Sequence, residues 1–186
     1  MSKRFLAAAI TVAVVILVVV VLFFLLREPI IEQLYPVEYE QLVKQYAQIN
    51  DIEPTLVYAV IYTESCFKPE AESNIGARGL MQLTEETFDW VKYRLHDPEE
   101  LTFDKMYDPE TNIRYGTYLL GYLKKEYGSQ RNILCAYHAG INIVKKWLAN
   151  KEYSLNGADL DKIPYKDTAH YVDKVEKAIN IYSERK

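Results

Sequence analysis

From Phe5 to Leu26 the chain carries no charged side chain, and Thr11 is its only polar one. Built as a helix, those 22 positions span about 33 Å, the thickness of a bilayer's hydrocarbon core. The run therefore predicts a membrane span. A cleaved signal peptide competes with it, but the apolar region of such a peptide is normally about 7 to 15 residues and ends at a small-residue site. Here the run ends in LFFLLREP. Lys3, Arg4 and the terminal amine precede the segment, whereas Arg27 behind it is offset by Glu28 and Glu32. The positive-inside rule then places the N-terminus in the cytoplasm and everything after residue 26 outside. The expectation is an uncleaved, single-pass anchor in the cell membrane. No cysteine follows the span closely, which argues against a lipoprotein.

The remaining length suits one domain with a real core and is short for two. The expected organisation is a cytoplasmic stub and anchor over 1–27, a juxtamembrane tether over 28–35, and a domain over 36–186. Of 22 basic and 26 acidic side chains, only Lys3 and Arg4 precede the span, leaving 20 against 26, a net of −6. Such a charge repels phosphate backbones, so nucleic acid is not an expected partner. Cys66 and Cys135 are the only cysteines. Both lie in apolar helical contexts that read as buried small side chains, and a disulfide between them stays open, because its geometry is not legible in sequence.

Helix punctuation recurs along the domain. Pro36 starts a run with Tyr39, Leu42, Val43 and Tyr46 at amphipathic spacing, and Pro54 starts another with Leu56, Val57, Val60 and Ile61. Thr84 is placed to cap a third helix containing Phe88, Val91 and Leu95. Asp108 and Pro109 open a fourth, which puts Ile113, Gly116, Leu120 and Leu123 on one face and stops at Gly128. Ser129 caps a fifth through NILCAYHAG, Asn142 to Leu148 forms a short sixth, and a last helix begins near Lys166. Asn150 to Pro164 is polar, contains Asn156-Gly157 and predicts a long surface loop. No strand alternation is sustained, so the fold class is all-α.

One residue breaks the apolar logic. Glu64 follows Val57 by seven, Val60 by four and Ile61 by three, which points it along the stripe that a helix buries. A carboxylate there is desolvated unless it is paired, reaches solvent through a cleft, or stays protonated. Pairing with Arg78 or Arg114 is the structural explanation. A carboxylic acid of raised pKa, able to donate a proton near neutral pH, is the functional one, and glycosidic-bond cleavage needs such an acid. The following SNIGARGLMQL places Gly76 and Gly79 where close backbone approach is allowed, then presents Met81 and Gln82. That is material for a cleft wall, with an adaptable apolar surface and an amide that both donates and accepts.

Together these residues resemble a known family. ESCFKPEAESNIGARGLMQLTEETF resembles the Glu-Ser and Gly-Leu-Met-Gln motifs of the SLT-type lytic transglycosylases, glycoside hydrolase family 23. AYHAG, Ala136 to Gly140, resembles their Ala-Tyr-Asn-Ala-Gly motif, and IPYKDTAHYVDKV, Ile163 to Val175, resembles their tyrosine-bearing segment. The four agree in order and spacing over roughly 46–181. The resemblance implies a lysozyme-like helical domain that cleaves the MurNAc-β-1,4-GlcNAc bond of bacterial peptidoglycan without net addition of water, leaving a 1,6-anhydro ring. It implies Glu64 as the single acid and then base, Ser65 shaping its helix end, Met81 and Gln82 lining the glycan cleft, Tyr137 beneath the site, and the Tyr171 hydroxyl near the Glu64 carboxylate. His138 stands where the family has asparagine and introduces a titrating group. No cofactor is implied.

Two alternatives remain at this stage: a hydrolase of the goose-type lysozyme kind, and a non-catalytic scaffold that only holds peptidoglycan. His96, His138 and His170 form no zinc-ligand spacing with cysteines or carboxylates, so no metal is expected. His96 and His170 read as surface side chains, Tyr46 and Tyr182 as core, and Lys145-Lys146 as a solvated face. The tether, at most about 3.5 Å per residue when extended, keeps the domain near the membrane. Wall-synthesis or secretion machinery are candidate partners on that ground.

Overall fold

A computed structural model describes residues 3–98 and 100–185, with side chains from residue 10 onward, and shows helices and no strand among them. The chain divides into two compact units, Met1–Val37 and Glu38–Lys186.

The first unit is helix α1, Lys3–Leu34. It covers the predicted span and continues over the segment expected as a tether. Pro29 lies inside it and gives up one ladder hydrogen bond. Side chains 10–30 are all exposed, and Ile10–Leu34 is long and apolar enough to cross a membrane. N-terminal anchors and signal sequences share that property.

The second unit is all helical: α2 (Glu40–Ile49), α3 (Pro54–Ser65), α4 (Glu85–Leu95), a 3-10 turn (Phe103–Tyr107), α5 (Pro109–Tyr127), α6 (Gln130–Ala139), α7 (Ile141–Ala149) and α8 (Lys166–Glu184). Most boundaries follow from local chemistry. The Thr84, Asp108 and Ser129 side chains accept from the backbone N–H groups of Thr87, Thr111 and Asn132, satisfying donors that a helix start leaves orphaned. Pro54 and Pro109 occupy the first turns of α3 and α5, where a missing N–H does no harm. α2 departs from expectation. It starts at Glu40, not Pro36, because Tyr39 takes a left-handed conformation, φ 56°, which no helix continues through.

α5 runs through the core. Ile113, Gly116, Leu120 and Leu123 are buried as their spacing predicts, and α2, α4, α6 and the 3-10 turn pack around it. α3 lies along α8, with the Tyr58 and Tyr182 rings 5.5 Å apart. Tyr46 is buried and donates to Glu110 at 2.9 Å. The loop after α7 is pinned by buried Asn132, which donates to the Ala158 carbonyl at 2.7 Å and accepts from the Leu160 N–H at 3.2 Å. His96, His170, Lys145 and Lys146 are exposed. Cys135 is buried and Cys66 exposed, and both are free thiols. The expectation of two buried cysteines thus fails at Cys66, which caps the end of α3 rather than continuing its apolar face.

Candidate active site

α3 is buried from Thr55 to Ile61, and this packing carries Glu64, three residues further on, to the wall of a cavity of about 450 Å³. Gln82, Thr87, Tyr137, His138 and Asp167 also line it. Glu64 as a residue is only half-buried, because it opens onto that cavity, while its carboxyl is surrounded by protein. Burial pushes the carboxyl pKa up to about 7, against a weaker downward pull from the Tyr171 hydroxyl.

Among the described residues no cation is paired with Glu64 to offset the burial. Arg78 donates to Asp104 at 2.9 Å and lies over the Phe103 ring at 4.5 Å, and Arg114 donates to Asp97 at 2.6 Å. Both arginines that could have neutralised Glu64 are engaged elsewhere. The structural explanation for a glutamate on an apolar stripe therefore does not apply.

The cavity wall is a loop folded back on the helix end. Cys66 and Phe67 are both left-handed, φ 50° and 62°, a conformation that strains non-glycine residues and turns the chain sharply after Ser65. The Ser65 hydroxyl donates to the Leu80 carbonyl at 2.8 Å, tying the helix end to the returning strand of loop. Gly79 has φ 78°, and a Cβ there would sit 2.0 Å from the Met106 carbonyl oxygen, so no other residue fits. Asn112, fully buried on α5, holds the loop from the far side. Its Oδ1 accepts from Met81 N–H at 2.8 Å, and its Nδ2 donates to the carbonyls of Arg78 at 3.0 Å and Met106 at 2.8 Å. Sequence alone did not single out Asn112. A buried amide on an apolar helical face is the signal that points to it.

The motif residues divide on inspection. Gln82 lines the cavity, and its amide donors are spent: Nε2 donates to the Ala71 and Gly79 carbonyls, both at 2.9 Å. Its Oε1 is left as an acceptor. Met81, expected on the cleft wall, is 0% exposed and packs against Gly116, where a Cβ would lie 2.3 Å from the Met81 sulfur. The correction has a simple cause: a chain turning through Gly79 sends adjacent side chains to opposite sides. Met81 contributes its carbonyl, which accepts from the Tyr137 hydroxyl at 2.7 Å. Tyr137 thereby spans from the loop to α6 beneath the cavity.

Tyr171, on α8, is buried, and its hydroxyl faces Glu64 without meeting a well-formed hydrogen-bond partner among the described residues. Burial and then the Glu64 charge hold the Tyr137 and Tyr171 hydroxyls well above the usual tyrosine pKa, so both stay protonated donors. His138 sits exposed at the rim, its ring 4.6 Å from that of Tyr171 and its Nδ1 3.2 Å from Thr168 Oγ1. Partial desolvation lowers its pKa, opposed by the Asp167 carboxylate. Among the described residues no group of three or more His, Cys, Asp or Glu side chains is placed to hold a metal.

Residues 41–158 match the family model described as the transglycosylase SLT domain. The soluble lytic murein transglycosylase of Escherichia coli strain K12 is 32% identical over 147 residues, 78% of this chain and 23% of its own length. The membrane-bound lytic murein transglycosylase E of Buchnera aphidicola is 27% identical over 127 residues, 63% of this chain and 58% of that protein. The crystal structure of the 70-kDa soluble lytic transglycosylase of Escherichia coli superposes with a TM-score of 0.73 at 30% identity, covering 82% of this chain and 25% of that one. A Pseudomonas aeruginosa lytic transglycosylase, solved as an inactive variant with one glutamate exchanged for glutamine, gives 0.71 at 25% identity over 81% of this chain and 25% of that one. The chain spans about a quarter of the length of the soluble relatives it matches.

Proposed function

The chain belongs to the SLT transglycosylase domain family, and from that premise we propose that it is a membrane-anchored lytic transglycosylase of peptidoglycan, with Glu64 as its single acid and base. The observation that carries the proposal is an uncompensated carboxyl in a cleft, its pKa near 7. Such a group is protonated often enough at neutral pH to act first as an acid, and is basic enough afterwards to recover a proton.

The cavity offers Glu64 no second carboxylate of comparable burial, since Asp167 lies at its exposed rim. That leaves the two-carboxylate schemes of most glycosidases without a partner and favours substrate assistance. Glu64 donates its proton to the glycosidic oxygen, the bond from that oxygen to C1 of N-acetylmuramic acid breaks, and the neighbouring N-acetyl group shares the positive charge at C1. The ionised Glu64 then accepts the C6 hydroxyl proton as O6 bonds to C1, closing the 1,6-anhydro ring. Glu64 ends protonated and no water is consumed. The nucleophile is already tethered to the electrophile, an intramolecular advantage that replaces an enzyme nucleophile.

The surrounding groups suit these steps. Tyr171, a buried hydroxyl facing Glu64 with no good partner, is free to donate to the carboxylate during the interval when it is charged. Gln82 Oε1 is an acceptor for a sugar hydroxyl or amide. Ser65 and Asn112 act through the backbone they hold, and Met81 through the carbonyl that positions Tyr137. α1 anchors the enzyme in the cell membrane, its N-terminus cytoplasmic, so that the catalytic domain lies outside the cytoplasm, where peptidoglycan is found.

Replacement Glu64→Gln tests the proposal. The variant folds, since it removes a group with no pairing partner, and it releases no soluble muropeptides from purified peptidoglycan. Retained release would remove Glu64 from the role.

A further inference from the structure

We propose that His138 is a positioning residue for the reaction, holding the Tyr171 ring from the α6 side so that the phenolic hydroxyl stays aimed at Glu64. This rests on the role given to Glu64 above. The Tyr171 hydroxyl meets no well-formed hydrogen-bond partner among the described residues, so it does not fix its own direction. The packing of the ring must do so. Tyr171 is 6% exposed, and the His138 ring lies against it, the centroids 4.6 Å apart and the planes inclined by 31°.

His138 is itself held. It stands in the last turn of α6, which packs on α8, and its Nδ1 lies 3.2 Å from Thr168 Oγ1. Thr168 is 1% exposed and precedes Tyr171 by three residues on α8, so both face the same side of that helix. One imidazole therefore meets both: the hydrogen bond to the first orients the ring that backs the second. The bond matters because His138 is exposed, and an exposed side chain without a fixed partner changes rotamer freely. Asparagine, which the family resemblance puts at this position, has an amide but no ring to lay against Tyr171. The arrangement is a feature of this chain.

Glu64 reports the aim of the hydroxyl. A hydroxyl that donates to a carboxylate favours its charged form, and Tyr171 pulls Glu64 in that direction. The groups that titrate around this site are Glu64 from α3, Tyr137 and His138 from α6, and Asp167 and Tyr171 from α8.

The test is a double-mutant cycle on the full chain in detergent. It reads the Glu64 carboxyl titration by isotope-edited NMR, with the signal assigned by its absence in Glu64→Gln. Neither replacement threatens the fold, since Tyr171→Phe removes a hydroxyl without a good partner and His138→Ala trims an exposed side chain. Tyr171→Phe raises the Glu64 pKa, and His138→Ala raises it as well by letting the hydroxyl swing out of line. In the Tyr171→Phe background, His138→Ala adds no further rise. On glycan strands His138→Ala lowers kcat by up to about tenfold with KM unchanged. No rise in the otherwise wild-type chain overturns the proposal, and so does a shift that persists in the Tyr171→Phe background, which would show His138 acting on Glu64 directly. An unchanged kcat overturns it too, whether or not KM moves. The titration is an equilibrium reading, so its failure leaves the transglycosylase assignment intact; absence of 1,6-anhydro ends from wild-type digests would sink the assignment instead.

Discussion

At Glu64 the proposed chemistry and the folding energetics are the same fact. Its carboxyl ordinarily titrates near 4.5 and does so near 7 in the folded chain. Below about pH 4 both folded and unfolded states hold the proton, and burial carries no electrostatic penalty. As pH rises from there towards 7 the unfolded state releases the proton first, so the folded state loses stability, by about 3 kcal/mol once both are ionised. Glu64→Gln therefore raises the melting temperature at pH 8 and leaves it nearly unchanged at about pH 4, measurable by calorimetry. Wild-type kcat/KM falls as pH rises through about 7, approaching tenfold per unit, because only the protonated acid starts the reaction. At His138, a ring tilted by 31° against that of Tyr171 contributes about as much as other aromatic pairs, roughly 1 kcal/mol. His138→Ala should lower kcat by up to about tenfold with little change in KM, whereas a purely structural role would lower the melting temperature and leave kcat per folded molecule unchanged.

At the scale of elements, caps and stops were legible because they are local: Thr84, Asp108 and Ser129 each act within three residues of their own position. The stripe that carried Glu64 was legible for the same reason. What sequence could not show depends on contacts across the chain. Met81 reads as a cleft residue by its place in a motif, yet it is turned inward by Gly79 and received by Gly116. Tyr39 fits an amphipathic pattern, yet its left-handed backbone excludes it from α2. Asn112 illustrates the point from the other side, since its three partners lie in segments 6 to 34 residues away. Asn112→Ala leaves those backbone groups unsatisfied and should destabilise the domain by about 3 kcal/mol or more, lowering activity through a loosened loop. Denaturant titration measures the first effect, and activity at saturating glycan the second.

At the scale of the whole molecule, the division at Val37–Glu38 separates the long apolar helix from the helical domain that holds Glu64. Removal of residues 1–37 should leave a folded, soluble domain with unchanged kcat on isolated glycan strands, while the full chain remains with the membrane fraction after a high-salt wash. A full chain released by that wash would contradict the anchor. The central claim is that the sugar attacks itself while one carboxyl lends and recovers a proton. Digestion of purified peptidoglycan in water enriched in heavy oxygen, followed by mass analysis of the new ends, tests it most directly. The account predicts ends lighter by one water than the hydrolysed sugar and free of the label; labelled, reducing ends would show that water is the nucleophile.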